Sequence, residues 1–285
     1  MPELPEVETV RTDLVKNLKG KKILDVEVKV AKMASPRPPL FEKKVIGQKI
    51  LDISRRGKLL IFKLPNIYML AHLKMTGQFV FLPKKGKLVF GGHTIAGLNE
   101  TPNKYTHFVF TMENGILYFN DLRKFGYFKL VSPKELNEIL KNYGIDPLAK
   151  EFTIKTFQEI LLKKPNAKIK QILMDQKLIA GIGNIYADEI CFYAKVLPER
   201  QAKSLADEEI KLLFSGIKKI LQKAVEERGT SVNTYVDGNG KKGNYAKFLK
   251  VYQQEGKKCL RCKKGIIKRM KMGGRSTHFC TECQK

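Results

Sequence analysis

The sequence predicts an α+β, multidomain chain: an N-terminal two-layer antiparallel β-sandwich fronted by a helix, then a helical domain, then a β-hairpin zinc finger. Three observations predict it. Short runs rich in Val, Ile, Phe and Tyr fill the stretch from Ile23 to Val131, with turn residues such as Pro65-Asn66 and Glu113-Asn114-Gly115 between them. After Ser132-Pro133 the apolar residues recur at helical spacing instead. Near the C-terminus, four of the 5 cysteines form two CxxC pairs.

The elements follow in order. Pro5 suits the first position of a helix, Val7, Val10, Leu14 and Leu18 mark its apolar stripe, and Gly20 ends it. Strands are expected at 23–30, 59–64, 68–73, 78–82, 107–112, 116–120 and 127–131. Several short strands at regular intervals fit two antiparallel layers packed face to face. Helices are expected at 134–142, 153–163, 167–175, 185–193 and 207–228, with Ser132 and Asp207 as caps. The stretch 230–247 mixes Gly, Asn and Lys without periodicity and reads as a mobile loop. These boundaries give domains at 1–131, 132–252 and 253–285. At 285 residues the chain is long enough for more than one core.

Charge narrows the function. Lys and Arg number 54 against 28 acids, a net +26. Such an excess repels itself unless a polyanion relieves it, which points to nucleic acid, with a lysine-rich composition as the bland alternative. No apolar run reaches the roughly 18 residues a membrane span needs. The start, Met1-Pro2-Glu3-Leu4-Pro5-Glu6, lacks the basic and apolar regions of an export signal, so the cell interior is the expected compartment.

Cys259-x2-Cys262 and Cys280-x2-Cys283 stand 17 residues apart, while Cys191 is alone. Each CxxC turn aims two thiolates at one ion, and two such turns complete a tetrahedral, closed, structural Zn2+ site. A redox dithiol is the alternative, but neither pair precedes a helix in a thioredoxin-like pattern. From Gln253 to Lys285 there are 10 Lys or Arg and 2 acids, so this hairpin should lie on phosphate. Arg275 follows Gly273-Gly274, where the backbone can approach a ligand closely, and an arginine there can hold a phosphate with two parallel hydrogen bonds.

Removal of Met1 would make the Pro2 nitrogen a secondary amine. An α-amino group has a pKa of roughly 8, and the positive end of the following helix disfavours its protonation. Such an amine can attack the anomeric carbon of a nucleotide, and the iminium that follows loss of the base is an electron sink. Glu3 and Glu6 flank the amine. A carboxylic acid there can protonate the opening sugar, although by spacing alone both read as acids that stabilise a helix start.

The residues now carry a recognisable pattern. Met1-Pro2-Glu3-Leu4-Pro5-Glu6-Val7-Glu8-Thr9-Val10 resembles the opening of the formamidopyrimidine-DNA glycosylases. The resemblance continues through Arg56-Gly57-Lys58, His72-Leu73-Lys74-Met75-Thr76-Gly77, Asn120-Asp121-Leu122-Arg123-Lys124-Phe125-Gly126, Asp146-Pro147-Leu148, Leu173-Met174-Asp175-Gln176 and Gly181-Ile182-Gly183-Asn184-Ile185-Tyr186-Ala187-Asp188-Glu189 to the cysteines.

The resemblance implies a bacterial DNA-repair enzyme, a glycosylase and AP lyase that excises oxidised purines from double-stranded DNA and cuts the strand by β,δ-elimination. It implies a monomer of the cytoplasm or nucleoid and a helix–two-turns–helix element. Pro2 would be the Schiff-base nucleophile and Glu3 the general acid, with Glu6 beside them. Lys58 would assist β-elimination and Arg275 δ-elimination. Met75, Arg123 and Phe125 would fill the gap left by the extruded nucleotide. His72, Tyr105, Lys164, Lys168, Lys170 and Asn184 would contact DNA, and the loop at 230–247 would close over the flipped base. Tyr105 stands where the family often has histidine, Leu197-Pro198-Glu199-Arg200 where it usually has His-Pro, and the stretch 84–103, with Gly91-Gly92, is longer than usual. Leu4 with Val7-Glu8-Thr9 favours the purine branch over the related endonuclease VIII branch. A DNA binder without catalysis, or an RNA or ribosome binder, would share the charge but has no need of Pro2-Glu3.

Overall fold

The structure, a computed structural model, describes residues 1–85, 89–93, 101–230, 235–236 and 244–285. Much of the expected loop at 230–247 and half of the long stretch at 84–103 therefore lie outside the described residues. The chain forms two compact units: Met1–Lys141 with Glu227–Ala246, and Asn142–Glu226 with Lys247–Lys285. Against the expected division at 131 and 252, residues 227–246 return to the first unit and the cysteine hairpin joins the second.

In the first unit, α1 (Leu4–Leu18) leads into β1 (Ile23–Val28), β2 (Ala34–Ser35), α2 (Leu40–Val45), β3 (Asp52–Arg56), β4 (Leu59–Lys63) and β5 (Tyr68–His72). Then come β6 (Gly77–Pro83), β7 (Val89–His93), β8 (Thr106–Met112), β9 (Gly115–Asp121), β10 (Tyr127–Val131) and α3 (Pro133–Lys141). One sheet, completed by β11 (Tyr235–Val236), has the order β1-β8-β9-β6-β7-β11, and the other has β2-β10-β5-β4-β3. Among the described residues, the strands of these two sheets pair antiparallel except β2 with β10.

Phenylalanines knit the interior: Phe128 lies 4.5 Å from Phe108 and 5.1 Å from Phe119, ring centre to ring centre, and Phe79 lies 5.1 Å from Phe119. The α1 stripe of Val7, Val10, Leu14 and Leu18 is buried in the same core. Gly91 on β7 explains how α1 sits so close, since a Cβ there would lie 3.1 Å from Val10 Cγ2. Ser132 caps α3 as expected, accepting Glu135 N–H at 3.2 Å while the Glu135 carboxylate accepts Ser132 N–H at 2.7 Å.

The second unit contains α4 (Ile154–Leu162), α5 (Ile169–Met174), α6 (Asn184–Tyr193), α7 (Asp207–Glu226) and the hairpin β12 (Ile267–Met272) with β13 (Arg275–Cys280). Asp207 is the first residue of α7 rather than its cap, because the Glu209 carboxylate takes the Ala206 N–H, 2.9 Å away. Gly216 of α7 makes room for α6, a Cβ there falling 2.8 Å from the Tyr193 ring. No described helix is long and apolar enough to cross a membrane.

Candidate active site

In the first unit the chain enters α1 through buried Pro2 and Glu3. Glu3 is the N-cap, and Glu6 reaches back to accept its N–H at 2.8 Å, closing a capping box. The second oxygen of the buried Glu6 carboxylate accepts the Thr230 N–H at 2.7 Å. Two turns further along α1, Asp13 holds Arg228 with oxygens at 2.6 and 2.8 Å. These two acids pin the returning segment to the helix that Pro2 and Glu3 lead into.

Lys58 lies at the two-residue tip joining β3 to β4, where Arg56 faces Leu59. Only Gly57 of the pair takes a positive φ, +55°, the pattern of a type II′ turn. Composition suggests one more surface lysine, but Lys58 is buried, with 5 % exposure. The tip is braced from α1: Glu8 binds Arg11 and also Arg55 Nε, each at 2.6 Å. Arg55 in turn reaches the Gly57 carbonyl at 3.5 Å. Burial alone would raise the Glu8 pKa, but its bond to Arg11 and the charge of Arg55 outweigh that and hold it below the ordinary value. This brace was invisible in the sequence, where Glu8 and Arg55 are 47 positions apart.

Met75 and Phe125 stand exposed, at 38 % and 51 %, on two turns of the first unit, and the Arg123 guanidinium lies over the Phe125 ring at 4.7 Å. The Met75 turn is tight: Lys74 has φ +51°, and a Cβ on Gly77 would sit 2.5 Å from the Leu73 carbonyl oxygen. His72 closes it, its Nδ1 accepting the Lys74 N–H at 2.9 Å. Burial, with Lys74 and Lys58 nearby, drives the His72 pKa down to about 3, so the ring is neutral and the acceptor is kept. Tyr105 is half-buried with the Lys104 ammonium 5.3 Å from its ring centre. A groove of about 380 Å³ beside Phe125 is lined by Lys32, Lys124 and Lys129 among others.

In the second unit, Cys259, Cys262, Cys280 and Cys283 place their sulfurs within 4.8 Å of one another. The Cys259–Cys283 and Cys262–Cys280 separations are 3.6 and 3.8 Å. Tetrahedral Zn–S bonds of about 2.3 Å put sulfurs about 3.8 Å apart, so the four fit one structural zinc ion. Buried Ile267, Val251 and Phe192 pack around the cysteines. At the far end of the hairpin Met272 faces Arg275, and Gly273 and Gly274 have φ of +54° and +76°. Two positive φ values in a two-residue loop mark a type I′ turn, which leaves Arg275 exposed beside its tip.

Of the lysines expected on phosphate, Lys164 and Lys168 are exposed. Lys170 is not on that face, and this corrects the expectation. Its ammonium is buried, pairs with Asp188 at 2.6 Å, and donates to Thr277 Oγ1 at 2.8 Å and the Ser276 carbonyl at 3.0 Å. Asp188 also accepts the His278 N–H at 2.9 Å. Asn184 likewise turns toward the hairpin, its Nδ2 donating to the Ser276 carbonyl at 2.9 Å. These residues fasten the base of the Arg275 turn to α5 and α6.

Comparison with known proteins agrees with this layout. Three domain families match in succession: the formamidopyrimidine-DNA glycosylase N-terminal domain over residues 1–128, its H2TH domain over 143–236, and the zinc finger found in FPG and IleRS over 256–285. Formamidopyrimidine-DNA glycosylases of Pelotomaculum thermopropionicum and Listeria monocytogenes are each 44% identical, aligned over 100% of this chain and 99% and 100% of theirs. The structure of Lactococcus lactis Fpg with abasic-site DNA superimposes with a TM-score of 0.86 at 37% identity, covering 99% of both chains. A variant of that protein with Fapy-dG-containing DNA gives 0.87 at 37% identity over 100% of both. The chain belongs to the formamidopyrimidine-DNA glycosylase family.

Proposed function

We propose that this protein is a bifunctional base-excision repair enzyme that removes 8-oxoguanine and formamidopyrimidines from duplex DNA and then nicks the strand by β,δ-elimination. The observation that carries the reading is Pro2-Glu3 at the start of α1, in a chain that relatives of this kind match end to end.

Loss of Met1 leaves Pro2 a secondary amine, kept partly neutral by the helix start beside it. Its lone pair attacks C1′, and the glycosidic bond breaks with the base leaving as a protonated species. Glu3 donates a proton to the ring oxygen as the sugar opens, giving an iminium between Pro2 and C1′. The iminium acidifies C2′; loss of that proton expels the 3′ phosphate, and loss of the C4′ proton then expels the 5′ phosphate. Water adds to the remaining iminium carbon, and release of the aldehyde product frees the Pro2 amine. Lys58 and Arg275 bind the phosphates that leave, and Glu6 holds the frame of the amine. Zinc supplies no step; the four thiolates that hold it fix the hairpin that carries Arg275. Met75, Arg123 and Phe125 enter the stack, His72 holds the Met75 turn, and Tyr105, Lys164 and Lys168 lie along the strands. The protein works as a monomer in the bacterial cytoplasm, on the nucleoid.

Borohydride trapping tests the chemistry. A duplex with 8-oxoguanine opposite cytosine should yield one covalent adduct per chain, mapped to residue 2 by mass spectrometry. Pro2→Gly should lose both adduct and nicking. An adduct on a lysine, or wild-type activity with Met1 retained, defeats the proposal, and faster cutting of thymine glycol would move the protein to the pyrimidine branch.

A further inference from the structure

We propose that Asp121 is a positioning residue for opening the duplex: its one carboxylate locks the turn that carries Met75 to the turn that carries Arg123 and Phe125. The inference rests on the function proposed above and deepens it.

Asp121 ends β9 with no exposed surface, directly across from Gly77 of β6. Oδ1 accepts the Thr76 hydroxyl, next in sequence to Met75, and the Arg123 N–H at 3.0 Å. Oδ2 accepts the N–H groups of Phe125 and Gly126 at 2.9 and 2.6 Å. Thr76 Oγ1 also accepts the Arg123 N–H, at 3.1 Å, which closes the link between the turns. The main chain of Asp121 is held as well, its N–H donating to the Tyr105 carbonyl and its carbonyl accepting His107 Nε2–H, at 2.9 and 2.8 Å. Gly126 is required by the same arrangement, since a Cβ there would lie 2.7 Å from the Phe119 ring and 3.1 Å from Asp121 Oδ2.

Three main-chain N–H groups and a hydroxyl converge on a buried carboxylate, while the side chains displayed above them, Met75 and Phe125, are apolar and exposed. A side chain that must enter a base stack gains from a support that does not yield. Asparagine keeps the size of Asp121 but presents one accepting oxygen, and its amide N–H groups would face other donors. Valine keeps the shape of Thr76 but neither donates to Asp121 nor accepts from Arg123, whereas serine does both.

The experiment uses the full-length, zinc-loaded protein and the variants Asp121→Asn, Thr76→Val and Thr76→Ser. Two substrates are compared under single turnover: 8-oxoguanine paired with cytosine, with 2-aminopurine beside the lesion, and an abasic site in a single strand, where there is no stack to open. Asp121→Asn and Thr76→Val should slow the 2-aminopurine signal and duplex cutting together, by about tenfold or more. Both should cut the single-stranded abasic site within about twofold of wild type, and Thr76→Ser should behave as wild type on both. Equal slowing on the two substrates, or duplex opening at the wild-type rate in Thr76→Val, overturns the proposal; should Asp121→Asn fail to fold, the Thr76 pair decides it. Wild-type protein inert on both substrates would instead overturn the function itself.

Discussion

At the scale of single residues, two lysines show what a sequence leaves out. Lys168 and Lys170 look alike in the sequence, but Lys168 is exposed whereas Lys170 forms a buried pair with Asp188. Removing one partner of a buried pair strands the other charge, at a cost of roughly 3–5 kcal/mol. Lys170→Met should therefore lower unfolding free energy by about that amount in urea titration, while Lys168→Ala should change it by less than about 0.5 kcal/mol and weaken DNA binding instead. Equal stability of the two variants would return Lys170 to the phosphate-facing set. Lys58 teaches the same lesson, because its burial depends on a turn and on an Arg55–Glu8 brace that no local pattern encodes. What was legible was chemistry that must sit at fixed spacing: the four cysteines, and the Gly273-Gly274 turn before Arg275.

At the scale of elements, periodic segments were legible and irregular ones were not. The α1 stripe and the run Phe108 to Met112 announce themselves by burial every third or fourth, or every second, residue. β3 was missed because Asp52-Ile53-Ser54-Arg55-Arg56 buries only Ile53 fully, and α2 because it follows three prolines within four residues, Pro36, Pro38 and Pro39. The zinc hairpin was read from its ligands rather than its strands. With so small a core of its own, it depends on the metal for order, since a structural zinc site contributes folding energy outright. Removing zinc with a thiol-blocking mercurial, followed colorimetrically, should release one ion per chain. DNA binding should fall in step with that release, while the β-sandwich signal in circular dichroism persists. Full binding by zinc-free protein would mean that the Arg275 turn stands without the metal.

At the scale of the whole molecule, the returning segment was the least legible feature. Its membership of the first unit depends on Thr230 bonding to Glu6, 224 positions away, and on Arg228 pairing with Asp13, 215 positions away. Net charge, by contrast, is a property of the whole chain and was readable at once. A net +26 makes counterion release the dominant source of sequence-independent affinity for DNA. If the enzyme touches about six to ten phosphates, its affinity for duplex should fall by roughly 10³–10⁵ between 50 and 200 mM salt. The slope counts the phosphates contacted rather than the total charge of the chain. Removing one contacting side chain should therefore reduce the slope by about one, and Arg275→Ala is the variant to use, because its side chain is exposed beside the hairpin tip. Fluorescence anisotropy with an abasic-analogue duplex at several salt concentrations measures both quantities. An unchanged slope in Arg275→Ala would take that arginine off the phosphate and leave δ-elimination without its proposed clamp.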